Sequence, residues 1–253
     1  MSDPSPWFFA PRLDFSGPIE LDPGESAHLA RVLRLTKGDP ITLFDGEGRT
    51  RSAVVASASP KSTLCSAEGP TRSHAPRPAL VLAVPAPKGP RADAMVDMLA
   101  QLGASAWVPL QTERTVVLPG DNKIDKWRSA ARQACKQCQD PWAMRIDGLT
   151  PMHAVLDAGW PGPVGLPAEA SRWIADTPSD APADSALAGS EGVTRVTPGG
   201  AGLVLIGPEG GWTEAERYAA RSAGFTPLAL GPNVLRIETA AVCAAALWRC
   251  GST

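Results

Sequence analysis

Apolar and polar positions along the chain fall into two patterns. Up to about residue 75 the apolar stretches are short and broken by turns: 41 ITLF 44, the turn-like 45 DGEGRT 50, then 53 AVVAS 57, with Gly and Asp at the reversals. This pattern predicts a small β-barrel. One helix interrupts it over 25–35, where Leu29, Val32 and Leu33 recur at spacings of three and four and share a face. The stretch 69 GPTRSHAPRP 78 has no apolar period and reads as a linker.

Beyond the linker the pattern changes. The apolar run 79 ALVLAV 84 is followed by a helical pattern over 91–102 carrying Met95, Met98, Leu99 and Leu102, then by the strand-like 106 AWVPL 110. A helix over 123–139, a strand at 164–166 and the apolar 203 LVLI 206 continue the alternation. Strands alternating with helices predict an α/β domain with a mainly parallel sheet covered on its faces. The expected organisation is a barrel domain over 1–75 and an α/β domain over 76–253. Residues 176–201, rich in Asp, Ser, Pro and Gly, are expected to form a mobile surface loop between two core strands.

Composition narrows the functional classes. Hydrophobic residues make up 43% and charged residues 20% of the 253, the balance of a soluble globular chain. The start, MSDPSPWFFAPRLDF, has no basic leader followed by an apolar stretch, and 239 TAAVCAAALW 248 is too short to span a bilayer, so a cytoplasmic location away from membranes is expected. Five cysteines without framework spacing point to reduced thiols. Cys135 and Cys138 have CxxC spacing, but no second pair completes four ligands, and no metal is expected. The net charge of -2 argues against gripping nucleic acid by bulk charge. Residues 1–150 hold 18 Lys/Arg against 16 Asp/Glu and the remainder 6 against 10, so any such binding is local.

The segment richest in chemistry is 203 LVLIGPEGGWTEAE 216, an apolar strand running through a glycine-rich turn into a helix. Glycines allow close backbone approach, and the helix start presents free N–H groups, so the turn reads as a cofactor cradle. Turn chemistry alone favours the plainer reading, a tight strand-to-helix turn with Thr213 and Glu216 as an ordinary capping box. It is neither a Walker loop nor GxGxxG, which disfavours phosphate or dinucleotide binding. A second turn, 230 LGPNVLRIETAA 241, follows the apolar 227 PLAL 230. Two such loops fit the carboxyl edge of a parallel sheet, where small ligands bind.

LIGPEGGWTEAE followed by LGPNVLRIETAA resembles the paired C-terminal signature of the ribosomal RNA small-subunit methyltransferase E family, a branch of the SPOUT methyltransferases. The likeness extends to 28 HLARVLRLTKGDPITLFDGEG 48, 101 QLGASAWVPLQTERTVV 117 and 127 WRSAARQACKQC 138. It implies a PUA-like RNA-binding barrel and a SPOUT domain with a trefoil knot, acting as a homodimer. The implied activity is methylation of a uridine N3 in small-subunit ribosomal RNA, the 30S partner, with S-adenosyl-L-methionine as cofactor. Carried onto this sequence, the cofactor loops are Leu205, Ile206, Gly207, Pro208, Glu209, Gly210 and Gly211, then Leu230, Gly231, Pro232, Val234, Leu235 and Arg236, with a third loop near Leu166. Gly210→Val is expected to block the first.

N3 of uracil is protonated near neutral pH, so methylation needs a base or a setting that stabilises the developing anion. Arg236 and Arg114 are the candidates for the second task, and Glu238 or Glu209 for the first. Each could instead brace the fold as an Arg–Glu pair. Arg128, Arg132 and Lys136 share a helix face at i, i+4 and i+8, read either as a solvated surface or as phosphate contacts. His28, Arg31 and Arg34 form a smaller cluster with the same two readings, and Lys88 and Arg91 join the RNA-binding candidates. The chain departs from the family pattern at Met98, Gln101 and the pair Gln139 and Asp140, where charge or Gly-Arg is usual. Those losses leave open a non-catalytic RNA-binding or ribosome-assembly factor, or a methyltransferase for another base.

Overall fold

The computed structural model describes residues 5–14, 16–177 and 200–250. Contacts divide the chain into two units, residues 1–76 with 132–143, and residues 77–131 with 144–253. The segment at 178–199, most of the expected loop, lies outside the described residues.

The first unit contains strands β1 (Trp7–Phe9) and β2 (Ile19–Leu21), helix α1 (Pro23–Ala27), one π-helical turn at His28–Val32, and strands β3 (Pro40–Phe44), β4 (Arg49–Ser57) and β5 (Thr63–Ser73). The strands form one sheet in the order β1-β3-β4-β5-β2, with β1 parallel to β3 and the other pairs antiparallel. Register shifts in β4 between Thr50 and Ser52 and between Val55 and Ser57 bend the sheet around a core that includes Phe8, Leu13, Leu29, Ile41 and Leu43.

Two expectations are corrected in this unit. β5 continues to Ser73, so the first half of the expected linker at 69–78 is strand. The expected helix at 25–35 is a short α-helix whose pitch then widens into the π-helical turn. The wider turn breaks the 3.6-residue phase. Leu29 is buried while Val32 and Leu33 stand 64% and 41% exposed, so the three do not share a buried face.

The second unit begins with β6 (Leu80–Val84), α2 (Arg91–Gln101) and β7 (Ala106–Gln111). Helix α3 (Asp121–Cys138), the short strands β8 (Arg145–Ile146) and β9 (Thr150–Pro151), and α4 (Met152–Leu156) come next. The chain closes with β10 (Ser171–Asp176), β11 (Gly202–Ile206), α5 (Glu214–Ser222), β12 (Thr226–Ala229) and α6 (Ile237–Cys250). The strand order is β12-β10-β11-β6-β7-β8, with β9 beside the end of β7, and every pair is parallel. All five residues of β6 and of β11 are buried, as expected for central parallel strands that read as unbroken apolar runs. The strand expected at 164–166 is not there; Val164 and Leu166 instead lie partly buried against the core, and β10 starts at Ser171.

Candidate active site

Because β10, β11 and β12 are adjacent and parallel, their carboxyl ends open on one edge of the sheet. The chain at their ends lines a cavity of about 290 Å³, just below the roughly 300–1,000 Å³ usual for small-ligand sites. Its lining comes from Ala175–Thr177 at the end of β10, from Ile206–Glu209 with Gly211 and Trp212 at and beyond the end of β11, and from Leu230, Gly231 and residues 233–236 after β12, with Ile237 and Ala240 on α6. Apolar Ile206, Leu230, Leu235, Ile237 and Ala240 are among its lining residues, as are Gly207, Gly211 and Gly231.

Local sequence chemistry explains why these loops lie open. At Gly207 a Cβ would come within 3.0 Å of the Trp212 indole, which is itself fixed by donating from Nε1 to the Ala175 carbonyl at 2.8 Å. Gly231 has φ of +148°, a conformation that side chains rarely adopt. The Thr213 hydroxyl accepts from the Glu216 N–H at 3.3 Å while Glu216 Oε2 accepts from the Thr213 N–H at 2.9 Å, which starts α5 with the expected capping box. At the β10 end, Arg217 donates from Nε and Nη2 to Asp176 at 2.8 and 3.2 Å, a two-point grip on a carboxylate whose side chain is 4% exposed.

The cavity gathers most of the sequence-predicted cofactor residues: Ile206, Gly207, Pro208, Glu209, Gly211, Leu230, Gly231, Val234, Leu235 and Arg236. Leu205 is instead buried in β11 as part of the hydrophobic core. Leu166 precedes β10 and packs on that same core, so the third wall comes from the other end of the strand, at Ala175–Thr177. Gly210 and Pro232 are not on the wall. A Cβ at Gly210 would meet the aliphatic part of Arg114, 3.2 Å from Cδ, so Gly210→Val is directed at Arg114 and not at the cavity.

Sequence reasoning missed Ala175, Asp176, Thr177, Trp212, Asn233, Ile237 and Ala240. Trp212 and Asn233 lie inside the quoted motifs, and Ile237 and Ala240 continue the second one. The β10 residues were hidden by the misplaced strand.

The two candidate arginines are placed differently. Arg114, in the turn after β7, donates from Nη1 to the Gly210 carbonyl at 2.7 Å and is exposed. Arg236 lines the cavity and is exposed. Glu209 is on the cavity wall. Glu238, in the first turn of α6, has Oε1 3.8 Å from Arg91 Nη1, and its Oε2 is buried without a hydrogen-bond partner.

Of the candidate RNA contacts, Arg31, Arg34 and Lys88 are exposed. Arg91 is half-buried and turns toward Glu238 and the Lys88 carbonyl, which it meets at 3.4 Å. Arg128 is exposed but donates to the Ile146 carbonyl at 2.8 Å and to Asp125 at 2.9 Å. Arg132 sits 5.3 Å over the Phe9 ring. Lys136 does not face solvent as the spacing suggested: its side chain is 7% exposed, ion-paired with Glu25 at 2.7 Å and 5.1 Å over the Phe8 ring. His28 is half-buried and edge-on to Phe8, and burial pushes its pKa down, with Lys136 acting in the same sense and Glu25 opposing. Among the described residues no group of three or more His, Cys, Asp or Glu could hold a metal ion, and no helix is long and apolar enough to cross a membrane.

Comparison with known proteins places this geometry. Residues 74–249 match the model of an RNA methyltransferase domain, and residues 21–67 match an RNA methyltransferase PUA domain. The ribosomal RNA small subunit methyltransferase E of Synechocystis is 30% identical over 231 residues, covering 91% of this chain and 72% of the relative. Its namesake from Mycobacterium bovis is 29% identical over 248 residues, covering 94% and 88%. The crystal structure of the Neisseria gonorrhoeae enzyme of the same name, bound to S-adenosyl methionine, superposes with a TM-score of 0.80 at 26% identity, covering 96% of this chain and 95% of that one. By its matched domains and by these relatives, the chain belongs to the RNA methyltransferases of the ribosomal RNA small subunit methyltransferase E family.

Proposed function

We propose that this protein transfers a methyl group from S-adenosylmethionine to N3 of a uridine in small-subunit ribosomal RNA, in the cytoplasm. The observation that carries this reading is the cavity at the carboxyl ends of β10, β11 and β12, walled by the two motif loops.

The residues present fit the cofactor. The apolar side chains of Ile206, Leu230, Leu235, Ile237 and Ala240 suit a purine ring, and Gly207, Gly211 and Gly231 leave room for backbone groups to reach its polar edge. Bound there, the cofactor supplies a methyl group on a positively charged sulfur, ready for a nucleophile.

The chain's own task is then electrostatic. Uracil N3 loses its proton as its bond to the methyl group forms, and negative charge develops on the flanking carbonyl oxygens. Arg236 at the cavity and Arg114 over the Gly210 carbonyl supply positive charge to that anion. Glu209, on the cavity wall, accepts the proton. Glu238 has turned to Arg91 and serves as a brace between α6 and α2.

The chain path supports a trefoil knot. After β12, at the edge of the sheet, α6 packs on β11, β6 and α2, so the chain re-crosses strands already laid down. Exposed Leu247 on α6 and Met98 on α2, helices that pack together, support a homodimer. The PUA domain and exposed Arg31, Arg34 and Lys88 supply RNA contacts.

The test is methylation of 30S subunits from a strain lacking the modification, with the product base identified by mass spectrometry. The reading predicts one N3-methylated uridine in the small-subunit RNA. Methylation of another base, or none with cofactor bound, would contradict it.

A further inference from the structure

The turn bearing Arg114 is tied to the β11 cofactor loop through a residue that the motif reading treats only as a helix cap. Glu216 Oε2 accepts from the Thr213 N–H at 2.9 Å, and its other oxygen, Oε1, accepts from the Glu113 N–H at 2.9 Å. Glu113 lies 103 residues away in sequence and is the immediate neighbour of Arg114. Arg114 in turn donates to the Gly210 carbonyl at 2.7 Å. Two adjacent residues of one loop are therefore held to both sides of a single turn.

The loop between those anchors has little freedom of its own. The Thr112 N–H donates to the Thr115 hydroxyl at 2.8 Å, and the Thr115 N–H to the Thr112 carbonyl at 3.3 Å, closing a tight turn at the end of β7. Such a turn moves as a unit, so its tether decides where Arg114 sits. A helix cap alone uses one carboxylate oxygen, and here both accept a backbone N–H. The neutral amide of Gln has one accepting oxygen and an NH2 group that cannot accept, so it loses one of the two links. Asp is a methylene shorter.

We infer that Glu216 is a positioning residue for the methyl-transfer reaction: its carboxylate locks the Arg114 turn against the cofactor loop, so that the guanidinium is in place when charge develops. This rests on the reading of Arg114 given above. Misplacement of a catalytic group by about 1 Å is enough to slow turnover by as much as 100-fold, so losing the tether is felt in kcat even though Glu216 touches no reactant.

The experiment compares Glu216→Gln, Thr213→Ala, Arg114→Ala and the Glu216→Gln/Arg114→Ala double variant in the full chain. Cofactor affinity is read by calorimetry, and kcat and KM on unmodified 30S subunits at saturating cofactor. Thr213→Ala removes the reciprocal half of the cap and leaves the Glu113 link. The expected result is that Glu216→Gln lowers kcat by about 10-fold or more with cofactor affinity held within about 3-fold, while Thr213→Ala leaves kcat within about 2-fold. The double variant is expected to be no slower than Arg114→Ala alone, because both substitutions remove the same contribution.

Equal effects of Glu216→Gln and Thr213→Ala on kcat would make Glu216 a cap only and overturn the inference. So would rate losses that multiply in the double variant. If Arg114→Ala slows turnover and Glu216→Gln does not, the inference falls and the proposed role of Arg114 stands. If Arg114→Ala leaves kcat unchanged, both fall.

Discussion

Two sets of cations in this molecule look alike in sequence and are used in opposite ways. Lys136, on α3, is sealed in the first unit against the Glu25 carboxylate, which also accepts from Gln133 at 3.1 Å and from the Phe9 N–H at 3.3 Å. Arg114 and Arg236, at the β11 and β12 loops, keep their charge at the surface, and the hydrogen bond of Arg114 goes to a neutral carbonyl. A cation already matched by a buried carboxylate has nothing left to offer a developing anion. A cation held in place but not neutralised does. On the proposed roles, stability rests on the matched cation and catalysis on the exposed ones, and crossed measurements can break that separation.

The largest effect is expected at the loops. Arg114→Ala and Arg236→Ala should each lower kcat on 30S subunits by about 100- to 1,000-fold, as for removal of one preorganised donor to a transition-state anion, while thermal unfolding stays close to wild type. Single-turnover rates beside melting curves check both halves. Loss of folding with preserved turnover would reverse the assignment.

Next comes the matched cation. Lys136→Met leaves Glu25 buried without its counter-charge and should destabilise the protein by about 3 kcal/mol, read in urea, with per-molecule turnover of the folded fraction little changed. A stability-neutral Lys136→Met with weakened RNA binding would return Lys136 to the phosphate-contact reading.

A smaller effect in the favourable direction is expected where α3 ends. Gln139 has φ of +55°, and the Asp140 N–H bonds back to the Cys135 carbonyl at 3.0 Å, the geometry of a helix C-cap that prefers glycine. Gln139→Gly should raise stability by about 1 kcal/mol, with RNA methylation unaltered. Gln139 in place of the usual Gly is thus a cost to the helix end.

The smallest effect is one of pH. The His28 pKa is lowered in the fold by burial, then by Lys136, against the opposing pull of Glu25. The unfolded chain therefore binds the proton more readily, so stability is highest above the ordinary His value of about 6.5 and falls as pH drops below it toward the folded value. Urea midpoints between pH 7.5 and 5 should show that slope, and His28→Asn should flatten it.

The legible parts of the molecule were those where one local rule dominates. The buried runs 79 ALVLAV 84 and 203 LVLI 206 became β6 and β11, because central parallel strands need nothing but apolar residues. The loop after β11 was legible because a strand-to-helix turn with a capping box has its own spacing. What failed depended on partners distant in sequence. β10, SRWIAD, carries Arg172 and Asp176 and looks half-polar; Arg172 lies over the Phe225 ring and Asp176 is matched by Arg217, neither visible from the segment itself. Lys136 was misread for the same reason, since its i+4 spacing is that of a solvated stripe and only the fold brings Glu25 to it. The dual use of Glu216 depends on a partner 103 residues away.

Whether the cavity at the ends of β10, β11 and β12 holds the cofactor is decided by calorimetric titration of S-adenosylmethionine into wild type and Ala240→Phe. Ala240 lies on the cavity wall, where a phenyl ring would fill the space that the adenine needs. Saturable binding at one site per chain is expected in wild type and its loss in Ala240→Phe, with the variant still folded by circular dichroism. Undiminished binding in a folded Ala240→Phe, or no binding to wild type in the presence of 30S subunits, would contradict it.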